Sequence, residues 1–394
     1  VHRELTARVS LDVLDRRVND LPRKQRWESM ARAALRDELL SAQDVLTGQA
    51  IDLAGKGLTR PELAVVLAHT KIALKEWMRA TDLPEDPYRA DRLRDSFPDP
   101  LPARFPDLLG KHRLSREIIT TVAVNRFVDS QGITGYYRLS GETGAGVADV
   151  IRAQLAARSI YAVGRSEVLL GRIEGLDATL ATDLRLELRR MVERGARWLL
   201  HNRPLPLDIQ AALDEFTAPV AAVRENLFDF LTPMQQAHVK EKYDRWIEAG
   251  APEELARALC VAGYSHFALG IANVSNRLGK DPKQVAAVHR ELTARVSLDV
   301  LDRRVNDLPR KQRWESMARA ALRDELLSAQ DGLTGQAIEL AGKDISDPVA
   351  VVDAWTQSGG VRRRAALIEE ITSEPADLAR ASVALGQVRG LVAK

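Results

Sequence analysis

The chain has 394 residues, of which 45% are hydrophobic and 28% charged, which is ordinary for a soluble globular protein with one large or two medium domains. Its 57 basic and 55 acidic residues nearly cancel, so no global positive charge points to nucleic acid or an anionic membrane as a partner. The single cysteine, Cys260, excludes an internal disulfide and a cysteine-based zinc cluster, and no apolar run approaches the roughly 20 residues of a membrane span, so a cytoplasmic protein is expected.

A near-exact repeat is the most unusual feature of the sequence. Residues 1–56 (copy one) recur as residues 288–343 (copy two). The copies differ at only two aligned positions, Val45/Gly332 and Asp52/Glu339. Solenoid repeats preserve a residue pattern and not an identical sequence, so this copy indicates a recent duplication, a cloning junction or an assembly error and not a repeat architecture. The chain also starts inside a helical pattern without methionine, and we expect it to be part of a longer protein.

Helical periodicity runs through both copies. From Lys24 to about Leu53 apolar residues fall at three- and four-residue steps, charged residues occupy the other face, and copy two repeats the pattern from Lys311. The apolar positions include Trp27, Met30, Leu35 and Leu39 in copy one and Trp314, Met317, Ala321, Leu322 and Leu326 in copy two. Each copy therefore predicts the same long amphipathic helix.

The segment after copy one carries start and stop signals for another helix. Thr59-Arg60-Pro61-Glu62 has the form of a capping box with proline in the first turn. Pro84 and Pro87 prevent continuation, so this helix is predicted to end near Ala80. Prolines between residues 98 and 106 then predict an irregular crossing.

Helical patterns also dominate the rest of the chain. A helix is predicted from about Leu114, with Gly132 and Gly135 interrupting it. Further helices are predicted at about 144–163, 177–202, 208–228, 233–248 and 252–268. Strand-type alternation is rare, and we find no hairpin or βαβ signature. The predicted fold class is all-α, an irregular multi-helix bundle without a Rossmann sheet in this segment.

The glycine-rich stretch from Ser140 to Gly146 is the one segment that could be taken for a phosphate loop. Such a loop follows a strand and has glycines spaced G-x-G-x-x-G or GxxxxGK[ST]. Here the order is G-x-x-G-x-G, no lysine follows, and no convincing strand precedes it. We therefore prefer a helix N-terminus opened by Thr143.

Isolated residues do not assemble an active site either. Lys56 lies between glycines and could polarise a carbonyl, but copy two lacks the equivalent of Gly57, so a helix C-cap with an exposed lysine is preferred. The histidines lack metal-ligand spacing, and His69 and His266 are expected in the core. Cys260 is expected to be a small buried hydrophobe. No catalytic, cofactor-binding or metal-ligating residue is predicted.

Residues 270–292 leave a nucleic-acid alternative open, because they have the outline of a helix-turn-helix. A short helix ends at Leu278-Gly279, a tight turn follows, and Pro282 opens the next helix. The side chains available to read DNA are Lys283, Gln284, His289 and Arg290. Because the neighbourhood is not strongly basic, a packing hairpin is preferred.

With these segments laid out, the chain resembles the C-terminal helical region of the large NAD-dependent glutamate dehydrogenases. The resemblance covers roughly residues 57 to 343, with the tail to Lys394 consistent. The stretches that carry it, in the family's order, are Leu58–Val65, Leu114–Ile119, Glu142–Ala145 with Ala148–Val150, Arg197–Arg203, Pro252–Ala256 and Trp314–Leu326.

This resemblance implies a large cytoplasmic, homo-oligomeric parent enzyme that converts L-glutamate to 2-oxoglutarate and ammonia and passes hydride to NAD. It also implies that the catalytic lysine and the dinucleotide-binding domain lie upstream of this segment. The segment itself is then expected to bind no NAD and to contact its own catalytic domain and other subunits, without nucleic acid or membrane partners.

The resemblance also divides the chain into domains. Residues 57–343 correspond to the helical C-terminal domain and residues 344–394 to a helical tail, whereas copy one replaces the stretch that should precede Leu58. Copy two is therefore expected to fill the native place in the fold. Copy one is expected to expose its apolar face unless it pairs with another surface.

Overall fold

The computed structural model describes residues 60–88, 93, 96–98, 100–109, 111–172, 176–309, 313–342, 344–357, 360–374 and 377–392. Every regular element in these residues is a helix and none is a strand, which confirms the predicted all-α class. The predictions made for copy one, for Lys56 and for the cap at Thr59 lie outside the described residues.

The chain divides into two compact units. In the first, described over 60–152 and 204–207, α1 packs against α4. Its helices are α1 (Arg60–Arg79), α2 (Leu101–Arg104), α3 (Pro106–Leu109), α4 (Ser115–Gln131), α5 (Gly135–Thr143) and the first turns of α6 (Val147–Ile160). The bounds of α1 and α4 match their predictions, and two single-turn helices occupy the proline-rich crossing.

The core of the first unit forms where the apolar stripes of α1 and α4 meet. Leu74, Met78, Val124 and Phe127 are completely or almost completely buried there. Beside this core the buried Arg152 guanidinium lies 2.8 Å from Asp82 and 3.5 Å from Asp86. Its hydrogen bond lowers the pKa of Asp82, so this carboxylate stays charged and keeps the buried arginine paired.

The second unit holds the rest of the described helices. They are α7 (Val163–Arg172), α8 (Ala178–Asn202), α9 (Ile209–Glu225), α10 (Pro233–Glu248), α11 (Glu253–Cys260), α12 (Phe267–Leu278), α13 (Pro282–Arg295), α14 (Leu298–Asp307), α15 (Arg313–Ala341), α16 (Pro348–Gln357), α17 (Val361–Thr372) and α18 (Leu378–Val392). Side-chain caps fix several of the starts. Asp177 accepts from the backbone of Thr179 and Leu180 at α8, and Thr232 and Gln235 form a capping box at α10.

Copy two is built into the core of the second unit. It supplies residues 288–295 of α13 and all of α14 and α15. The buried side chains of copy two include Leu292, Leu301, Leu326, Leu333 and Ile338. The predicted helix from Lys311 is confirmed, but three residues of its expected apolar face are not buried. Trp314 is 69% exposed in the first turn of α15, Ala321 is also exposed, and Met317 is only partly buried.

Two local predictions are wrong. Thr143 does not open a helix, because it is the last residue of α5 and its hydroxyl donates to the Leu139 carbonyl at 2.7 Å. Gly144 then adopts a left-handed φ of 73°, and α6 starts only at Val147.

The second error is the single helix expected at 252–268. It is broken: α11 ends at Cys260, a 3₁₀ turn covers Ala262–Tyr264, and α12 begins at Phe267. The break is stabilised by a tertiary contact, since the Arg194 guanidinium donates to the Gly263 carbonyl.

Within the described part of the chain, no single helix is both long and apolar enough to cross a bilayer. One bent pair, Glu253–Tyr264 with Phe267–Leu278, reaches that length and apolarity only when taken together. The apolar face of this pair is used inside the second unit, because α12 is buried from Phe267 to Ala272.

Candidate functional site

A charged cleft in the second unit is the best-formed candidate site in the described residues. It consists of two cavities, of about 290 Å³ and about 740 Å³, which share Arg194, His266 and Arg323 in their walls. The smaller cavity lies between the C-terminal half of α8 and the middle of α15. The larger one extends along α10 and α14.

Helical spacing places the basic side chains. Arg194, Arg197 and His201 lie three and four residues apart on α8, so they project from one face of that helix. Arg323 reaches the same cleft from α15. His266 lies at the N-cap of α12, in the break that interrupts the predicted 252–268 helix.

Asp324 is the carboxylate closest to these groups in the smaller cavity. Its oxygens lie 3.4 Å from His201 Nε2, 3.6 Å from Arg323 Nη2 and 3.9 Å from Arg197 Nε. None of the three distances is short enough for a strong hydrogen bond. Glu325, the other acid in this wall, lies 2.8 Å from Arg389.

The acids of the larger cavity are engaged by other partners. Glu187 lies 2.9 Å from Arg190 and 3.2 Å from Lys242. Asp299 accepts a hydrogen bond from the Thr232 hydroxyl at 2.6 Å. Burial raises the pKa of Asp302 to about 6, although Arg194 opposes the shift. This carboxyl is therefore mostly ionised at neutral pH.

Three polar groups meet where the two cavities join. Burial, and then the charge of Arg323, lower the pKa of the Arg194 guanidinium. Burial and Arg194 hold the pKa of His266 well below its usual value, so its imidazole is neutral. His266 Nδ1 and Arg323 Nη2 are both buried and have no hydrogen-bond partner. Two guanidinium groups and a buried imidazole therefore meet in the wall that the two cavities share.

This arrangement favours binding over nucleophilic chemistry. Burial raises the pKa of the Cys260 thiol, which confirms it as a small buried residue, and its Sγ donates to the Arg257 carbonyl. Among the described residues no group of three or more histidine, cysteine, aspartate or glutamate side chains could hold a metal ion. Guanidinium groups in a cleft are instead suited to carboxylate or phosphate ligands.

The helix-turn-helix outline is present, but its second helix serves packing. Gly279 has a left-handed φ of 62° between α12 and α13, as the sequence predicts for a tight turn. His289 is only 4% exposed, so it is not available to read DNA as the alternative requires, and the preferred packing role fits it. Lys283 Nζ lies 3.1 Å from Glu225, and α13 packs against α9, α12, α14 and α16. No observation supports DNA binding.

The remaining sequence candidates give no site. The glycine-rich stretch 140–146 is the end of α5 and a short loop, and no strand precedes it in the part of the chain described. His266 is buried as expected, whereas His69 is only partly buried.

The sequence did not predict the charged cleft, because single arginines in an amphipathic helix are usually interpreted as solvent-exposed. The available signal was that Arg197–Arg203 and Trp314–Leu326, two stretches that carry the family resemblance, both line the smaller cavity.

Comparison with known proteins identifies the family to which this chain is similar. The family described as glutamate dehydrogenase, C-terminal, matches residues 1–54 and, separately, residues 55–390. Proteins named NAD-specific glutamate dehydrogenase are similar to this chain. The one from Mycobacterium tuberculosis is 34% identical over 85% of this chain and 21% of its own length. Those from Halomonas elongata and Pseudomonas aeruginosa are each 32% identical, over 81% and 73% of this chain and 20% and 18% of their own.

The chain thus spans about a fifth of the length of the curated relatives it matches. The family match runs over both units and over the two stretches that line the cleft. The chain therefore belongs to the glutamate dehydrogenase family, in which it corresponds to the C-terminal helical region.

Proposed function

We propose that this chain is a non-catalytic, helical C-terminal portion of an NAD-dependent glutamate dehydrogenase. The parent enzyme would oxidatively deaminate L-glutamate to 2-oxoglutarate and ammonia in the cytoplasm and pass hydride to NAD. The role of this portion would be to brace the catalytic domain, to assemble subunits of a homo-oligomer or to transmit regulation.

The observation that carries the proposal is a family match over nearly the whole chain combined with helix-only structure. Dinucleotide-binding domains of dehydrogenases are built on parallel sheets, where the cofactor lies at the carboxyl ends of the strands. The described residues contain helices alone, and the relatives have about four fifths of their length outside the matched region. The cofactor site and the catalytic lysine are therefore assigned to that other part, and none of this chain's residues is given a catalytic, cofactor or metal role.

A calorimetric titration of the purified 394-residue chain with NAD tests this assignment. We expect no saturable heat up to about 1 mM NAD, the upper end of ordinary substrate constants. Saturable binding in that range would place a cofactor site in this chain and contradict the proposal. A parallel titration with L-glutamate checks the substrate site in the same way.

A further inference from the structure

The junction of the two cavities has the composition of a binding site and not of a salt-bridge network. Arg194, Arg197 and Arg323 bring three guanidinium groups to the smaller cavity, together with His201 and His266. The acids in that wall are only Asp324 and Glu325, and Glu325 is already paired with Arg389. The wall therefore carries more positive than negative charge.

Burial makes this surplus unusual. Arg323 is 9% exposed and His266 is 6% exposed, so neither side chain can rely on bulk water. Buried polar groups are nearly always hydrogen-bonded, and each exception calls for a reason. Here Arg323 Nη2 has no hydrogen-bond partner, and the carboxylate of Asp324 lies 3.6 Å away, beyond hydrogen-bond distance.

The surrounding acids offset part of the charge of Arg194 but form no hydrogen bond with the buried Nη2 of Arg323. On α8, Glu187 is shared between Arg190 and Lys242, and Glu193 lies near Arg197. On α14, burial raises the pKa of Asp302 to about 6, so this carboxyl is still mostly ionised at neutral pH. Arg194 donates to the Gly263 carbonyl, and the charges of Asp302, Glu187 and Glu193 offset part of its positive charge.

We propose that Arg194, Arg323 and His266 form a binding site for a small oxyanion, either a carboxylate or a phosphate, in the smaller cavity. The two guanidinium groups would share the negative charge of the ligand, and the His266 imidazole would line the wall beside them. Asp324 would compete with the ligand for Arg323. This goes beyond the proposed function, because a site for an anion requires neither NAD nor turnover.

The test is a calorimetric titration of the full 394-residue chain with inorganic phosphate and, separately, with succinate, against sodium chloride at matched ionic strength. We expect saturable binding of at least one oxyanion beyond the chloride response. Binding of phosphate alone, succinate alone or both would identify the chemistry and support the site. Absence of saturable binding by either anion up to about 50 mM, well beyond the millimolar affinity of a weak site, would overturn it.

Two variants locate the site. Arg323→Gln should weaken binding at least tenfold, since a charge-assisted contact is lost. Arg190→Gln removes the same charge from the larger cavity only and should change affinity less than twofold. Equal effects of both would contradict the assignment. Should Arg323→Gln fail to fold, Asp324→Asn decides: it removes the competing carboxylate and should tighten binding, and unchanged or weaker binding would overturn the site.

Discussion

Asp331 shows how a single buried group can govern the pH response of this protein. It lies on α15 beside α12, where burial raises its pKa to about 7, opposed by a hydrogen bond from the Trp198 side chain and by the charge of Arg277. Gly270 makes room for it, since a Cβ at that position would lie 2.2 Å from a carboxylate oxygen. The sequence marked neither residue, because the pattern of an amphipathic helix does not show which polar residue a crossing helix will cover.

We predict that raising the pH from 5 to 8 changes the free energy of unfolding less favourably for the wild type than for Asp331→Asn. In the folded state the carboxyl stays protonated up to about pH 7, whereas in the unfolded chain it ionises near its model value of 3.8. Between those values the folded state binds more protons, so the free energy of unfolding falls as the pH rises. The shift predicts an extra loss on the order of 2 kcal/mol for the wild type between pH 5 and pH 8.

Urea unfolding of the wild type and of Asp331→Asn at both pH values measures this difference. The comparison isolates Asp331, because the other shifted groups remain in both proteins. Asp302, with a raised pKa, acts in the same direction, and His266 and His289, with lowered pKa values, act in the opposite one. Parallel pH profiles would show that Asp331 is not the group concerned.

At the scale of elements, α15 shows which copy of the repeat fits the fold. At Gly332 a Cβ would lie 3.2 Å from Cγ1 of Val392 on α18, tighter than an ordinary contact. Copy one has Val45 at the aligned position, and its two methyl groups would extend farther toward α18. The other difference, Asp52/Glu339, falls at an exposed position. Copy two is therefore the better fit to this place, and this supports the expectation drawn from the family resemblance.

We predict that Gly332→Val lowers the free energy of unfolding by roughly 1–3 kcal/mol, the usual cost of overpacking. Glu339→Asp, the other change toward copy one, should stay within about 0.5 kcal/mol. Gly386→Val is the matched control on α18, because nothing lies within 4 Å of a Cβ built there. Guanidinium unfolding of the three variants measures these changes in the free energy of unfolding. If Gly332→Val leaves the stability unchanged, copy two is not a better fit to this place than copy one.

Local signals predicted the elements wherever they were complete. The bounds of α10 match 233–248 because Thr232, Pro233 and Gln235 provide a full start signal. Asp177 likewise provides the start signal of α8, where it caps the helix. The break before His266 was not predictable, because it depends on Arg194, which is distant in sequence. That break places His266 in the cleft. Because the break was not predicted from the sequence, the candidate site was not predicted either.

At the scale of the molecule, the chain is one family region and a second copy of part of it. The family match falls into residues 1–54 and 55–390, which meet close to the predicted seam near Gly57. Copy two contributes three helices to the second unit, and the described core there contains its side chains. We propose that the family region runs from about residue 57 onward and that copy one stands in place of the stretch that precedes it in the family.

We predict that deleting residues 1–56 leaves the remaining chain folded. Its melting midpoint should stay within about 2 °C of the wild type, which corresponds to less than about 1 kcal/mol. Helical content per residue should also stay nearly the same, as circular dichroism can measure. A collapse of the cooperative transition would show that copy one is an integral part of the fold.

This helical region belongs to the glutamate dehydrogenase family, and we propose that it does not perform the reaction alone. The direct measurement is NADH formation by the purified 394-residue chain supplied with L-glutamate and NAD. We predict no glutamate-dependent NADH above the background without protein. Turnover at about 1 s⁻¹ or faster, in the ordinary range for enzymes, would contradict the claim and place the reaction centre within this chain.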